Sequence, residues 1–548
     1  MAQNGNTPEK NFTNTPDASG IERDPLDMSN YHLNLLPKKI VSPLESFLAK
    51  IGGPLAILVF IIFNFFIDFK FLDNIDPAIL SKDARAVFDA VGADAFQAKN
   101  ISMLAVFVAA LILWVTEAVP NYLTSLMLII TLVLTGVLSE VDAYHQLGHK
   151  IMWLNILSFI LASMLVKTGA AKRFALWFIV RFGKNASSIF ISFIAINLVL
   201  SAFISATTAK AAILLPIFMV VAAIYGAPGG ANKTNFGRNI VLQNLFQINI
   251  GASGFLTGSG ANLLAAALIG GALGAEIFYS DWLIIGFPLA VALILIGWVV
   301  GTRLIFPLAA RERTPQIQGG MERLRSELNQ LGPIRTDEIK SVLIFIAVLA
   351  LWATDRWHGL SATAVAFMGA VIALIPGIGP VRWNDVDIPW HLLLFSAGAY
   401  TLGEGLQVTD LPAIMVDRLF ISMGFNETTP FWVLYLIITG SMLFSAIIFQ
   451  SKTMRTLIFI PIAIGVANRF GYPVMSLAFP AALLIEHVYV LPFNSKPAAL
   501  LYVTDQYSWT DSFKFGFTMM VIAWIISILM AMTVFRFMGI TPHGLGIF

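Results

Sequence analysis

The sequence predicts an all-α polytopic membrane protein, and three observations support this fold class. Of the 548 residues, 57% are apolar and 12% are charged, whereas a soluble globular chain carries about 25% charged residues. Apolar stretches follow one another from Gly52 onward, with the length of about 20 residues that crosses a bilayer as a helix. Within them, apolar and polar residues alternate too rarely for the strands of an outer-membrane barrel. With no cysteine in the chain, a disulfide scaffold and a thiolate metal site are also excluded.

The N-terminal residues 1–51 are predicted to form a cytoplasmic tail followed by an interfacial segment. Residues 1–30 are polar and rich in Asn, Thr, Pro and Asp, which is typical of a disordered tail. Residues 31–50 mix apolar residues with Lys38, Lys39 and Lys50, and this pattern favours the membrane surface. No signal peptide is predicted, because no apolar run follows a basic start.

About 11 transmembrane helices are predicted from the length of the apolar runs. They lie near 53–69, 101–119, 121–139, 151–167, 238–271, 280–304, 338–355, 361–380, 388–406, 474–505 and 511–537. Two more apolar segments, 187–225 and 428–468, are too long for one span and are interrupted by SATTAK and QSKTMRT. A polar interruption at membrane depth is tolerated only where it lines a cavity or packs on protein. We therefore predict that each of these two segments forms a re-entrant hairpin with a polar tip.

The orientation follows from the basic residues. Lys and Arg are concentrated in 167–184 and in 303–340, and such segments lie on the cytoplasmic side. The acid-rich segment 70–100 is placed outside by counting spans. The N-terminus is then cytoplasmic, and the two hairpins open from opposite faces of a bacterial-type inner membrane.

The two halves of the sequence form a repeat. ATTAKAAILLPI (206–217) aligns with SKTMRTLIFIPI (451–462) at an offset of 245 residues. Each is followed by an interrupted span, GASGFLTGSGAN (251–262) and HVYVLPFNSKPAA (487–499). Inverted repeats with paired discontinuous helices are typical of secondary transporters whose site lies at the midplane. A channel is the alternative, and it is disfavoured because no short filter loop is repeated.

Seven stretches resemble, in order, segments of the divalent anion:sodium symporter family of dicarboxylate, citrate and sulfate carriers. They are LWVTEAVPNYLTSL, SATTAKAAILLPI, GASGFLTGSGANLL, LWATDRWHG, DIPWHLLLF, QSKTMRTLIFIPI and VLPFNSKPAALLY. The resemblance implies a homodimeric carrier that works by an elevator mechanism, with a scaffold domain and a transport domain. It implies a small anionic substrate between the two tips, flanked by two sodium ions. No enzymatic activity, cofactor or nucleic-acid partner is expected.

Together, the spans and the resemblance divide the chain into scaffold and transport segments. The scaffold comprises helices in 52–150, helices and a cytoplasmic loop in 272–386, and a last helix in 506–548. The first transport repeat is 151–271 and the second is 387–505, each with a hairpin and a broken helix.

The tips depart from the family pattern, which has Ser-Asn-Thr at this point. The first tip reads Ala206, Thr207 and Thr208, and the second reads Ser451, Lys452 and Thr453. Lys452 therefore stands at an Asn position, and an ammonium has three donors but no acceptor for sodium. We predict that Lys452 supplies the charge that sodium supplies elsewhere in the family. The degenerate sodium-site region comprises Ala206, Gly251, Gly254 and Thr257.

The predicted function is transport of small di- or tricarboxylate anions without sodium, by anion exchange or proton coupling. Sodium-coupled symport of dicarboxylates, sulfate or another oxyanion is the alternative. The alternative class is an anion channel or a non-transporting sensor of the same fold.

Two groups of candidate site residues follow from the tips and breaks. Polar groups beside half-helix N-termini can face an anion, and these substrate-binding candidates are Thr207, Thr208, Ser259, Asn262, Ser451, Lys452, Thr453, Ser495 and Lys496. Charged or titratable groups at membrane depth are costly and mark pathways, and this coupling or charge network comprises Lys210, Arg455, Glu486 and His487. Glu486 and His487 could carry protons or only form a salt bridge to a basic residue. Lys210 and Arg455 could instead pair with an acid or cap a short helix.

Overall fold

The computed structural model describes residues 24–31, 43–230, 232–317, 319–422, 424, 429–449 and 451–546. Within these residues the secondary structure is helical, apart from turns and one isolated bridge between Gly229 and Asn232. The all-α fold is confirmed. Residues 1–23 of the predicted disordered tail (1–30) and most of the predicted interfacial segment (32–42) lie outside the described residues. The end of the tail is wrong as predicted, because Met28–Tyr31 form a short 3-10 helix with Met28 buried, which packs on the helix Thr207–Ile224.

The N-terminal helices are α1 (Pro43–Phe65), α2 (Lys82–Val91), α3 (Ala93–Thr116), α4 (Asn121–Leu134) and α5 (Glu140–His145). Helix α1 packs along α3 and runs through the boundary predicted at residues 51 and 52, so that boundary is wrong. At Gly52 a Cβ would meet Thr116 Oγ1 at 2.0 Å. Gly52 therefore lies within α1 and does not mark its start. It allows α1 to pack closely on α3, as small residues do between membrane helices.

The first repeat contains six helices. They are α6 (Lys150–Lys167), α7 (Ala170–Phe182), α8 (Ala186–Phe203), α9 (Thr207–Ile224), α10 (Asn235–Ser253) and α11 (Gly260–Leu273). Helices α8 and α9 form the predicted hairpin, whose tip is 204–206. Helices α10 and α11 form the predicted broken helix, with the break at 254–259. The basic segment 167–184 is mostly the helix α7, because Ala171, Ala175 and Ile179 recur at helical spacing and are buried.

Five helices connect the repeats. They are α12 (Tyr279–Val299), α13 (Gly320–Gln330), α14 (Thr336–Ala353), α15 (Asp355–His358) and α16 (Ala362–Leu374). Helix α13 packs against α7, and Arg173 of α7 donates to both carboxylate oxygens of Glu338 in α14, at 2.5 and 3.0 Å. The two basic segments predicted to share one membrane side therefore meet in space.

The second repeat has the same order of elements as the first. Its helices are α17 (Trp390–Thr409), α18 (Leu411–Ser422), α19 (Phe431–Phe444), α20 (Lys452–Arg469), α21 (Val474–Leu483) and α22 (Lys496–Tyr502), and the chain continues with α23 (Trp509–Met532) and α24 (Val534–Phe537). The second tip lies between α19 and α20. The predicted span 474–505 is a short helix, an irregular segment (484–495) that contains Pro492, and a second short helix.

The two repeats interlock through their broken helices. Helix α11 of the first repeat packs against α20 and α21 of the second, whereas α22 of the second packs against α9 and α10 of the first. Each broken helix thereby contacts the hairpin of the other repeat. This exchange brings both tips and both breaks into one region.

Six helical stretches of the described residues are long and apolar enough to cross a membrane. They are Ser46–Phe65, Ala93–Thr116, Glu140–Lys167, Thr207–Ile224, Tyr279–Ile305 and Trp509–Phe537. Other apolar helices have 10–17 residues, and arms of the hairpins and halves of the broken helices are among them. The number of about 11 transmembrane helices stays a prediction.

Candidate functional site

The carboxylate of Glu486 connects the second tip with both breaks. Glu486 lies in the second break and is fully buried. It accepts hydrogen bonds from the ammonium of Lys452 at the second tip and from the hydroxyl of Ser259 at the first break. Of the two roles predicted for Glu486, the structure shows the salt bridge to a basic residue.

Only the lysine of this ion pair is partly exposed. The Lys452 side chain is 14% exposed, whereas that of Glu486 is 0% exposed. Removing one partner of such a buried pair costs about 3–5 kcal/mol, because the other charge is left uncompensated. The pair therefore fixes the second tip against the breaks, and the charge of Lys452 is already balanced.

Lys210, on the first turn of α9, is a second cation in this region. It is fully buried and donates to Ser201 Oγ of α8 at 2.9 Å and to the Ile248 carbonyl of α10 at 3.0 Å. Among the described residues it forms no salt bridge. Its charge is therefore stabilised by a hydroxyl and by a carbonyl near the C-terminal end of α10, where the helix dipole is negative.

Arg455 occupies the equivalent position of the second repeat, 245 residues later. It is also fully buried and donates to Ser445 Oγ at 3.0 Å and to the Ile485 carbonyl, just after α21, at 2.9 Å. A further bond reaches the Met442 carbonyl. In the described part of the chain Arg455 likewise forms no salt bridge, so the predicted pairing of Lys210 and Arg455 with an acid is not observed.

The two serines, Ser201 and Ser445, are not among the site residues predicted from the sequence. Both begin a Ser-Ala dipeptide that precedes a tip, at 201–202 and 445–446. At the offset of 245 residues Ser201 falls opposite Ala446, so the two serines align only if one residue is inserted before the second tip. Gly251 lies beside Ser201, since a Cβ there would be 2.7 Å from Ser201 Oγ, so this glycine lets α10 approach the hairpin.

At the first tip, no side chain caps α9. Its N-cap residue is Ala206, which has no side-chain oxygen, and Thr207 and Thr208 are half-buried on the first turn. The buried hydroxyl of Ser205 has no hydrogen-bond partner among the described residues. The backbone amide groups at this helix N-terminus can therefore donate hydrogen bonds to an anion.

The second tip is capped differently. Ser451 accepts a hydrogen bond from the Met454 amide at 3.3 Å, so its predicted substrate-binding hydroxyl also has a structural role. Thr453 is half-buried on the first turn of α20. Gln450, which precedes Ser451 at this tip, lies outside the described residues.

Two asparagines hold the breaks together. Asn262 is fully buried, and its Nδ2 donates to the carbonyls of Ala252 and Phe255, both at 3.0 Å. Asn494, which the sequence analysis missed, accepts from the Leu491 amide and donates to the Ala446 carbonyl, both at 2.6 Å. The donor side of Asn262 is thus engaged with backbone, while its Oδ1 is buried without a partner in the described part of the chain.

The serine of each break caps the helix that follows. Ser259 accepts from the Asn262 amide and Ser495 accepts from the Ala498 amide, each at 3.3 Å. Lys496, next to Ser495, is exposed and forms no ion pair among the described residues. It is the exposed cation of the second break.

Three further candidates form no hydrogen bond or ion pair with the charged side chains in the described part of the chain. His487 is fully buried, its Nδ1 lies 3.2 Å from the Leu484 carbonyl, and its ring packs on Tyr489. A Cβ at Gly254 would be 3.3 Å from Ala290 Cβ, so Gly254 faces α12. The Thr257 hydroxyl is buried beside the phenol of Tyr279. The structure therefore does not join His487 to the ion pair.

Comparison with known proteins identifies the family. Residues 92–541 match the family described as "Sodium:sulfate symporter transmembrane region", which is most of the chain. The chain belongs to this family. It is therefore a multi-pass membrane transporter and not an enzyme, and the resemblance to the divalent anion:sodium symporters is confirmed.

Individual proteins similar to this chain are distant in sequence. The "Sodium-dependent dicarboxylate transporter SdcS" of Staphylococcus saprophyticus is 26% identical over 79% of this chain and 87% of its own length. A "Membrane protein" of Cupriavidus necator is 27% identical over 80% of this chain and 87% of its own length. Among solved structures, the YdaH transporter of Alcanivorax borkumensis matches with a TM-score of 0.46 and 13% identity, covering 73% of this chain and 88% of that one.

Proposed function

We propose that this protein exchanges small dicarboxylate anions across the bacterial inner membrane without sodium. The observation that carries the proposal is the pair of buried cations, Lys210 and Arg455, at equivalent positions of the two repeats. Each donates to a hairpin serine and to a carbonyl of a broken helix. These oxygens are of the kind that would coordinate sodium, and they are already bound to a cation.

Electrostatic repulsion supports the absence of sodium at these positions. Two unit charges 4 Å apart repel by about 4 kcal/mol at an effective dielectric constant of 20. Lys452, predicted to replace sodium, is neutralised by Glu486. We therefore assign this role to Lys210 and Arg455, which form no salt bridge among the described residues and feel the Glu486 carboxylate only at longer range.

A dicarboxylate fits this arrangement in charge. Once the Lys452–Glu486 pair is balanced, Lys210 and Arg455 leave two buried positive charges, Lys496 adds an exposed one, and the uncapped N-terminus of α9 adds amide donors. The staphylococcal relatives are named sodium-dependent dicarboxylate transporters, which supports the same substrate class. Tricarboxylates, sulfate and other oxyanions are the competing substrates.

Fixed cations also favour exchange over net transport. A sodium ion can leave with the substrate, whereas a lysine or an arginine side chain remains in the empty site. Moving an uncompensated charge through the membrane is costly, so the empty site returns slowly. A second anion neutralises the charges and allows the return, which is the behaviour of an exchanger.

The packing suggests which helices move in an elevator mechanism. Helix α12 packs on α10, and α23 packs on α19, so we propose that both move with the hairpins although the sequence placed them in the scaffold. The other group contains α1, α3, α4, α6, α14, α16 and α17, which pack in successive pairs. We propose that α6 and α17 belong to it although the sequence placed them in the transport repeats, 151–271 and 387–505. The homodimer and the cytoplasmic N-terminus remain predictions.

Counterflow of labelled succinate into succinate-loaded proteoliposomes tests the proposal. We expect rates in sodium and in choline buffers to agree within twofold, and unlabelled sulfate to compete less well than succinate. Lys210→Ala frees the oxygens of Ser201 and Ile248, so it should abolish exchange in choline, with partial recovery in sodium. Lys514→Met removes an exposed lysine and serves as the control. Uptake by the unaltered protein that requires a sodium gradient and saturates with sodium would refute sodium independence, and conductance without counterflow would indicate a channel.

A further inference from the structure

A cavity of about 330 Å³ lies between α7 and α13, outside the site described above. Its lining residues are Trp177, Val180, Arg181, Lys184, Arg325 and Leu328. Three of these six side chains are cations, and the other three are apolar. The cavity opens on the side of the molecule where the two basic segments meet, which is the predicted cytoplasmic side.

The three cations of this cavity have no acidic partner. Arg181, Lys184 and Arg325 form no ion pair within the described residues, and α7 contains no acidic residue. The acidic residues of α13, Glu322 and Glu327, do not line the cavity. Since α7 and α13 meet without charge compensation here, the cavity is suited to an anion.

The surface beside the cavity is aromatic. Trp177, Phe178 and Phe182 form a cluster with ring centroids 4.7–6.0 Å apart, and Trp177 and Phe182 are 47% and 44% exposed. Aromatic side chains concentrate at the membrane–water interface. A basic cavity next to exposed aromatic rings matches a molecule that is anionic at one end and apolar at the other.

We propose that this cavity binds the phosphate headgroup of an anionic phospholipid of the cytoplasmic leaflet. The phosphate contacts Arg181, Lys184 and Arg325, and the acyl chains run along Trp177 and Phe182. Basic pockets on the cytoplasmic side of membrane proteins bind such headgroups, and guanidinium groups can bind phosphate oxygens in a bidentate way. A zwitterionic lipid lacks the net charge that three unpaired cations require.

Native mass spectrometry of the full, delipidated chain can test this proposal. We expect phosphatidylglycerol to be retained at least tenfold more strongly than phosphatidylcholine. The variant Arg181→Gln/Lys184→Gln/Arg325→Gln should lose this preference and retain the two lipids about equally. The variant Arg303→Gln/Arg311→Gln/Arg313→Gln removes the same charge from exposed positions of the same basic region and should keep the preference.

Three outcomes would overturn the proposal. Equal retention of the two lipids would show that the cavity does not select a charged headgroup. Equal losses in the two triple variants would show that binding depends only on total charge. Displacement of the lipid by glycerol phosphate or inorganic phosphate at comparable concentration would indicate a site for a soluble anion. Thermal unfolding without lipid provides the check that both variants fold as the unaltered protein does.

Discussion

At the scale of single residues, the charged side chains inside the site divide into a balanced pair and two unbalanced cations, apart from the exposed Lys496. Lys452 and Glu486 neutralise each other, whereas Lys210 and Arg455 are held by hydroxyl and carbonyl oxygens. Burying a charge is tolerable only when its surroundings compensate it. The two groups therefore have different consequences when they are removed.

The balanced pair gives a prediction about stability. Lys452→Met leaves the buried Glu486 without its partner and should lower the free energy of unfolding by about 3–5 kcal/mol. Adding Glu486→Gln to this variant should restore most of the loss, because the uncompensated charge disappears. Chemical unfolding in detergent micelles measures both variants. A double variant as unstable as the sum of the two single ones would contradict the coupling.

At the scale of elements, each broken helix depends on an asparagine that supplies hydrogen bonds to the backbone. Asn262 joins the end of α10 to the start of α11 within the first repeat. Asn494 joins the second break to the hairpin at Ala446. Backbone groups cannot stay unpaired in a membrane interior, so a break needs such side chains. The same function is thus fulfilled by different contacts in the two repeats.

The first of these asparagines gives a second prediction. Asn262→Ala leaves the carbonyls of Ala252 and Phe255 without this donor, which should cost about 1–3 kcal/mol of stability. Transport should fall as well, because Ser259 and α11 lose their position beside Glu486. Asn329→Ala, at an exposed site near the end of α13, provides the matched control. The prediction fails if both variants unfold at the same temperature as the unaltered protein.

At the scale of the whole molecule, the interlocked repeats place the site at the contact between two groups of helices. Helix α11 belongs to the proposed moving group and packs on α17 of the other group. A Cβ at Gly403 of α17 would lie 2.8 Å from Leu268 Cδ2 of α11. A cross-link here would join the two groups.

The absence of cysteine in the chain makes a cross-linking experiment direct. We expect mercuric ions to stop transport by Leu268→Cys/Gly403→Cys and a thiol reagent to restore it. The control is Val348→Cys/Gly369→Cys between α14 and α16, where the two Cβ atoms would be 3.8 Å apart, a favourable disulfide distance. Its cross-link should leave transport unchanged. Full transport by the bridged test pair would contradict sliding of α11 against α17.

The sequence predicted the membrane-spanning helices, the two hairpins and the two breaks. The bilayer requires apolar runs of a certain length and excludes exposed polar residues, and both features can be read from short stretches of sequence. It missed α7, because the basic residues in 167–184 resemble those of a cytoplasmic loop, and it misplaced the start of α1 at Gly52. In both cases the deciding contact comes from another helix. The same limit explains why Ser201, Ser445 and Asn494 went unnoticed, since their importance lies in distant partners.

By itself, the sequence determined that the chain is a membrane protein built from two repeats, with rare charges at the tips and breaks. It also determined the equivalence of Lys210 and Arg455, because an offset of 245 residues is a property of the sequence alone. Only the tertiary structure decided that Glu486 neutralises Lys452 and leaves Lys210 and Arg455 to oxygen acceptors. The physical reason is that charge compensation depends on distances of a few ångströms between residues far apart in the chain, and the packing of the two repeats sets those distances.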